Sequence, residues 1–377
     1  MANMNIAVDA RVLLRPISGV YVYLWQIIKA ISNINSNIHF LLCLDRDETY
    51  LPKEIRKACN GTVKFVNLPF SSLKPGHNFA APLWLHFLLP AHLSKTKADL
   101  FWGPNHLLPG RLLSIPQVVT VHDLGPYQKY DFQKPLWKMM FKTFFPLSLK
   151  TAKSVIADST FIGEEIIAKF PYTKNKIHIV NPGLRPLEKK VGKNEIATQA
   201  PFYILAVGNL TLRKNYETLI EAYHILKLRG LPHKLVICGK QGWGAEKVYL
   251  KINSLNLNNS IVVNENADDL LLDKLYLNAS LFVMPSYYEG FGLPLLEAMS
   301  FGLPCIVSNT GALPEVIDDA GVTIPPDDVD LWASSMERLL SDQLLAKTLS
   351  KKAIERSRQF SWEKTAKETI SVFESVI

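Results

Sequence analysis

The stretch Glu289-Gly290-Phe291-Gly292-Leu293-Pro294-Leu295-Leu296-Glu297 decides how this 377-residue chain is read. It sets two carboxylates on either side of a Gly-x-Gly turn, and a proline follows at the head of an apolar run. Glycines lack a Cβ, so the backbone can come close to a ligand there. Proline suits the first turn of a helix, where its missing N–H is not needed. A helix running on through Leu295–Phe301 would turn the free N–H groups of its start toward an anion. On either side, Ser280–Pro285 and Pro304–Val307 read as short buried strands. Strand, glycine turn, helix and strand together describe an open α/β sheet, whose ligands sit at the carboxyl ends of the strands. A bare pair of glutamates reads as solvated charge. The Gly-Phe-Gly-Leu-Pro between these two shifts the reading to a site for something polyhydroxylated and anionic.

The same α/β pattern extends in both directions. In the first half, strands are predicted at Asn5–Asp9, His39–Leu44, Val63–Leu68, Leu100–Trp102, Gln117–Val121 and Ser154–Ala157. A helix is predicted from Val20 to about Ile31, with Val20, Leu24, Ile27, Ile28 and Ile31 on one face. Periodicity dissolves between Gly183 and Pro201 into charge, proline and glycine, which marks a linker. Strands then resume at Phe202–Val207, Lys234–Cys238, Ser260–Val263, Leu281–Met284 and Cys305–Val307, with a helix at Tyr216–Leu228. From Asp330 to Ile377 the chain reads as mostly helical. Length and pattern give two α/β domains, and a cleft between domains is a favoured ligand site.

Other positions carry chemistry. Arg213 and Lys214 stand in the turn after the strand Phe202–Val207. Arg through its fork and Lys as a point charge can clamp a diphosphate. Such a turn is also what a solvated basic loop looks like, but two anion-suited turns in one domain favour a single bound diphosphate. Gly19 opens the first predicted helix and would offer further N–H donors. His122 and Asp123 follow the strand Gln117–Val121. That histidine reads equally as a donor to a sugar hydroxyl and as half of a structural His–Asp pair. Asp328-Val329-Asp330 reads as a turn and helix cap, not as a metal pair, so no metal is expected.

Composition narrows the partners. The net charge is +8, which suits nucleic acid, acidic lipid or a phosphorylated ligand. No zinc-finger spacing, Arg-rich run or RNA-binding aromatic motif is present, so nucleic acid is not expected. Cys43, Cys59, Cys238 and Cys305 have no metal or redox spacing, and three lie in apolar runs, as buried free thiols of a reducing compartment do. Asp9, Arg11 and Arg15 break the first apolar run, so no signal peptide is read. No transmembrane helix is expected either. Between Lys134 and Lys153 five lysines interleave with Trp137, Met139, Met140, Phe141, Phe144 and Phe145. That stretch suits either a helix packed on its own domain or peripheral contact with an anionic membrane.

The run Pro285–Pro304, followed by Ser308–Glu315, closely resembles the family 4 retaining glycosyltransferases. Val207–Asn215 resembles that family's phosphate-clamp turn. Asp9–Arg11, Gly19, Val121–Leu124, Asn181–Gly183 and Phe360–Trp362 fall where the family has matching pieces, so the resemblance covers nearly the whole chain. It implies the GT-B architecture: two Rossmann-like domains facing across a cleft, with the last helix crossing back to the first. On that basis the acceptor domain would span residues 1–185 plus the helix 362–377, the linker 186–200, and the donor domain 201–361. The resemblance also implies that Glu297 binds the ribose and Glu289 the donor sugar. Gly290, Phe291, Gly292 and Leu293, with Gly19, Arg213 and Lys214, would hold the diphosphate, and His122 would lie beside the sugar. His122, Glu289, Arg213 and Lys214 are the expected catalytic set. Many members have an arginine directly after the glycine matching Gly208. Here it is Asn209, which leaves the clamp to Arg213 and Lys214. The Arg-Lys-Asn turn is similar to a GDP-mannose subgroup.

The implied activity is transfer of a hexose, leaning to mannose from GDP-mannose, to a glycan or lipid-linked acceptor, with no cofactor. It would act in the cytoplasm, at the inner face of the membrane where Lys134–Lys153 makes contact. UDP-glucose and UDP-N-acetylglucosamine are the alternative donors. A nucleotide-sugar epimerase would show a different carboxylate and histidine set. Intact Glu289, Glu297, Arg213 and Lys214 argue against a non-catalytic nucleotide-sugar binder. A nicotinamide dehydrogenase would need Gly-x-Gly-x-x-Gly after the first strand, where Ala7-Val8-Asp9-Ala10-Arg11 stands.

Overall fold

A computed structural model describes residues 3–14, 19–57, 63–68, 83–129, 135–186 and 202–377. Each half of the chain builds one parallel sheet. In the first half the strands are β1 (Met4–Asp9), β2 (Ile38–Leu44), β3 (Val63–Asn67), β4 (Leu100–Gly103), β5 (Gln117–Val121), β6 (Ser154–Ala157) and β7 (Ile177–Ile179). They lie in the order β3-β2-β1-β4-β5-β6-β7. In the second half β8 (Tyr203–Val207), β9 (Lys234–Cys238), β10 (Ile261–Asn264), β11 (Leu281–Met284), β12 (Cys305–Ser308) and β13 (Val322–Ile324) lie in the order β10-β9-β8-β11-β12-β13. Every pairing in both sheets is parallel. Both halves are therefore doubly wound, Rossmann-like units.

The first unit comprises Met1–Tyr127, Gln133–Gly183 and Ser361–Ile377, and the second comprises Gln128–Phe132 and Leu184–Phe360. The first unit thus ends its main run at Gly183, not at residue 185, and Arg185 belongs to the second. Of the predicted linker, residues 187–200 lie outside the described residues. The helix Trp362–Glu374 belongs to the first unit. Its Trp362, Ala366, Ile370 and Phe373, on one helical face, join Tyr23, Leu24, Ile27, Ile28 and Ile31 in one core. Those last five line the helix Gly19–Ile34. Tyr23, not Val20, completes its buried face. Ser361 caps the final helix, its Oγ accepting from the Lys364 N–H at 3.2 Å.

In the second unit alternate strand residues face opposite layers, as the period of two requires. Ile204, Ala206, Leu281 and Val283 meet Leu219, Tyr223, Trp332 and Met336 on one face. Tyr203, Leu205, Phe282 and Met284 meet Leu295, Leu296 and Met299 on the other. β7 and β13 were absent from the sequence reading. Each is a three-residue edge strand, too short to show a period. Cys43, Cys238 and Cys305 are buried free thiols, as expected, while Cys59 lies outside the described residues.

Candidate active site

In the second sheet the strand order reverses between β8 and β11, and a doubly wound sheet opens its ligand crevice at the carboxyl ends beside such a switch. The two loops that leave these ends carry the expected residues. β8 runs into a short 3-10 turn, Leu212–Lys214, closed by Asn215 in the left-handed conformation (φ 53°). Asn215 suits that place, since asparagine tolerates positive φ. Its side chain donates to the Pro326 carbonyl at 2.8 Å and accepts from Thr218 Oγ1 at 2.8 Å. The loop after β11 is stitched to this turn by the Tyr287 N–H, which donates to the Arg213 carbonyl at 2.9 Å.

The two loops bring Arg213, Lys214 and Glu289 together. Lys214 Nζ lies 2.6 Å from Glu289 Oε1, and Arg213 Nη1 lies 3.0 Å from Glu289 Oε2. Arg213 Nη1 also donates to the Tyr288 carbonyl at 2.6 Å. The Glu289 and Lys214 side chains are nearly buried, while that of Arg213 is 31% exposed. Burial of Glu289 favours its neutral form. The Arg213 and Lys214 charges, with the hydrogen bond from Lys214, override it and hold the carboxyl at about 2.

A stability prediction follows from that depression. A carboxylate depressed in the folded state stabilises above its unfolded pKa, and this stability is lost as pH falls through the folded value. From 4.5 down to about 2 the contribution is about 3 kcal/mol. Glu289→Gln is expected to lose this pH-dependent part. Wild type and variant should therefore converge in urea-unfolding free energy as pH falls from about 4.5 toward 2.

The backbone after Glu289 turns sharply into the helix Leu293–Ser300. Gly292 sits before it with φ 102°, a conformation that other residues reach only with strain. Pro294 occupies the first turn, and the Leu295 N–H donates back to the Gly292 carbonyl at 2.9 Å. Among the described residues no hydrogen bond engages the amides of Phe291, Gly292 or Leu293. This is the arrangement that receives an anion at a helix start.

Glu297 lies on the same helix, and its two carboxylate oxygens have different partners. Oε1 accepts from Arg185 Nε at 2.8 Å, and Oε2 accepts from the Tyr276 hydroxyl at 2.9 Å. Arg185 also pairs through Nη2 with Asp273, whose side chain is fully buried. Burial pushes the Glu297 carboxyl up, against the opposing pull of Arg185 and Tyr276.

Gly19 and His122 belong to the first unit. Gly19 opens the helix Gly19–Ile34, and the preceding residues 15–18 lie outside the described residues. His122 follows β5, with Nδ1 2.7 Å from Asp158 Oδ2 and Nε2 2.7 Å from the Pro104 carbonyl. A carbonyl only accepts, and an ionised carboxylate only accepts, so this geometry suits a doubly protonated ring. Burial pulls the His122 pKa down, but Asp158, the Pro104 carbonyl and Asp123 raise it on balance. His106, 5.5 Å away ring to ring, is pushed down to about 4 by burial. In this arrangement His122 is half of a His–Asp pair, formed with Asp158 and not with the neighbouring Asp123. Its ring can reach a sugar only by releasing one of these bonds.

Arg185, Tyr276, Asp273 and Asp158 were not among the expected residues. Arg185 stood in the stretch read as linker, and Asp158 lies 36 positions from its histidine. Asp273 and Tyr276 lie three apart on one face of the helix Asp269–Asn278, a stretch to which the sequence pattern assigned no element.

Asp328 caps the helix Val329–Ser341, its carboxylate accepting from the Leu331 N–H at 3.0 Å. Among the described residues no group of three or more His, Cys, Asp or Glu side chains could hold a metal ion. No helix there is long and apolar enough to cross a membrane.

Comparison with known proteins adds to this geometry. Residues 188–356 match the family model of glycosyl transferases group 1, and residues 17–186 match that of glycosyltransferase family 4. The chain is 32% identical over 288 residues to the O-antigen chain mannosyltransferase B of Escherichia coli, covering 74% of each protein. It is 26% identical over 272 residues to the O-antigen chain mannosyltransferase RfbU of Salmonella typhimurium, covering 71% of this chain and 72% of that one. Among solved structures, sucrose-phosphate synthase from Thermosynechococcus elongatus superposes with a TM-score of 0.78 at 20% identity, over 99% of this chain and 98% of that one. The fold, the family models and the mannosyltransferase relatives agree that this chain is a glycosyltransferase enzyme of group 1, family 4, built on the GT-B fold.

Proposed function

We propose that the protein transfers a mannosyl residue from GDP-mannose to a glycan or lipid-linked acceptor of cell-surface polysaccharide, with retention of anomeric configuration. The observation that carries this is the nearly buried Lys214–Glu289 pair, joined by the partly exposed Arg213 at the β8/β11 switch, beside the unengaged amides of Phe291–Leu293. Two cations and a helix start can neutralise the charge that develops on a leaving diphosphate, the task a metal performs elsewhere. In the reaction the bond from the anomeric carbon to the diphosphate oxygen breaks. A bond from the acceptor hydroxyl oxygen forms on the same face, and the hydroxyl proton passes to the leaving phosphate. Donor binding turns Arg213 and Lys214 toward the diphosphate and frees Glu289 for the sugar, while Glu297 takes the ribose. For His122 the family resemblance gives a role toward the donor sugar, which would require release of its bond to Asp158 or to the Pro104 carbonyl. The mannose assignment is supported by the O-antigen chain mannosyltransferase names of the relatives and by the Arg213-Lys214-Asn215 turn. Incubation with GDP-mannose, UDP-glucose and UDP-N-acetylglucosamine tests it. Release of GDP alone is expected, and release of UDP from either uridine donor overturns the mannose assignment.

The acceptor side is assigned to the first unit, at the inner face of the cytoplasmic membrane. In the helix Pro135–Thr151, Phe141, Phe145 and Leu149 are buried, while Trp137, Met139 and Leu147 are 38%, 60% and 51% exposed beside exposed Lys142 and Lys150. Exposed aromatic and aliphatic groups beside lysines suit an anionic bilayer surface. Co-sedimentation with anionic liposomes is expected. Protein wholly in the supernatant would remove this contact.

A further inference from the structure

The clamp around Glu297 has a construction of its own. A carboxylate offers about four lone-pair sites, two on each oxygen. Arg185 Nε engages one on Oε1, and the Tyr276 hydroxyl engages one on Oε2. One site on each oxygen is left, which is what two neighbouring hydroxyls need. Both holds on Glu297 trace to a single helix, Asp269–Asn278. Tyr276 acts directly. Asp273, three residues before it and fully buried, acts through Arg185, whose Nη2 it binds. A planar guanidinium can hold two carboxylates in fixed directions at once, and an ammonium cannot. Arg185 is itself 8% exposed, so this pairing sits inside the second unit and not on its surface.

We propose that Arg185, anchored on Asp273, is the positioning residue that presents Glu297 as a two-point acceptor for the vicinal hydroxyls of the donor's ribose. The proposal rests on the reading of Glu297 as the ribose ligand. Within it, Arg185 is a determinant of affinity for the sugar of the nucleotide and not for its base or phosphates. The raised Glu297 carboxyl fits this role. Burial favours the protonated form, which would offer one acceptor less, and Arg185 opposes it.

The test measures binding of GDP and of 2′,3′-dideoxy-GDP by calorimetry, with the UDP pair in parallel. The proteins are the wild type, Arg185→Lys, and the double variant Arg185→Met/Asp273→Leu. The double variant removes Arg185 and Asp273 together, so that of the three charges only Glu297 loses its partner. The wild type is expected to prefer the ribose form by about 10–100-fold, as hydrogen bonds to a charged group allow. Both variants are expected to lose about tenfold of that preference while binding the dideoxy form as the wild type does. A wild type that binds both forms equally overturns the ribose reading and the role of Arg185 with it. A preference intact in the wild type and undiminished in both variants overturns the role of Arg185 alone. Equal weakening of both nucleotide forms does the same, because a purely structural residue would act that way.

Discussion

Lys214→Ala is expected to lower kcat by about 10²–10³-fold, the size of effect seen when one preorganised donor to a developing charge is removed. The argument begins with burial. The Lys214 side chain is 10% exposed, and its ammonium lies 2.6 Å from Glu289 Oε1. A charge screened from water acts more strongly on a neighbouring charge than one in solvent. Arg213, the other cation, is 31% exposed and holds the Tyr288 carbonyl as well as Glu289. It is therefore the weaker substitute when Lys214 is lost. The lysine stem is itself placed by Gly208, where φ is 151° and an added Cβ would lie 2.9 Å from Lys214 Cε. Gly208→Ala should thus reproduce part of the loss by shifting the ammonium. Turnover with donor and affinity for GMP and GDP separate the roles. A diphosphate clamp leaves GMP binding within about threefold while kcat falls, since its transition-state interaction exceeds its ground-state one. Equal loss in GMP affinity and in turnover would remove Lys214 from the diphosphate.

That cluster was legible because its pieces are local. Each cation or carboxylate stands in a short turn after an apolar run, and the runs Tyr203–Val207 and Leu281–Met284 announce their strands by composition alone. What brings the turns together is the adjacency of β8 and β11, with Leu281 opposite Ile204 and Phe282 opposite Leu205. A parallel order of this kind is the expected outcome of alternating strands and helices. The resemblance of the Glu289–Glu297 stretch to one enzyme family then supplied the ligand class, which spacing alone left at a polyhydroxylated anion.

The Glu297 clamp was not legible, for a physical reason. In the helix Asp269–Asn278 the leucines Leu270 and Leu271 are 44% and 37% exposed, while Asp273 is fully buried. Pattern reading places leucine inward and aspartate outward. The inversion makes sense only once Arg185 is in place, and Arg185 comes from a segment with no periodicity at all. His122 shows the same limit. Its sequence neighbour Asp123 was the natural partner for a pair, but the ring meets Asp158, at the end of the adjacent strand β6. Pairings between strand ends depend on register, and register is not written in either segment alone.

Arg185→Met is expected to destabilise the second unit by about 3–5 kcal/mol, the usual consequence of removing one partner of a buried ion pair. The single substitution leaves Asp273 fully buried and Glu297 nearly so, both without the guanidinium that joined them. Arginine does not shed its proton in a protein, so the wild-type cluster stays charged and paired. Adding Asp273→Leu should recover the part of the loss that comes from the fully buried Asp273, leaving only Glu297 without its cation. The pH dependence has a definite sign. Burial already pushes the Glu297 carboxyl up, and losing Arg185 removes the largest opposing pull. An acid whose folded pKa is raised costs stability as pH rises from its unfolded value through the folded one. The deficit of Arg185→Met relative to wild type should therefore be larger at pH 7 than near pH 4.5. Amide exchange in β8 and β11 reads the second unit directly, so unfolding of the first does not enter. A deficit under about 1 kcal/mol at pH 7, or one that grows toward acid, would show that Arg185 does not carry the charge balance of this cluster.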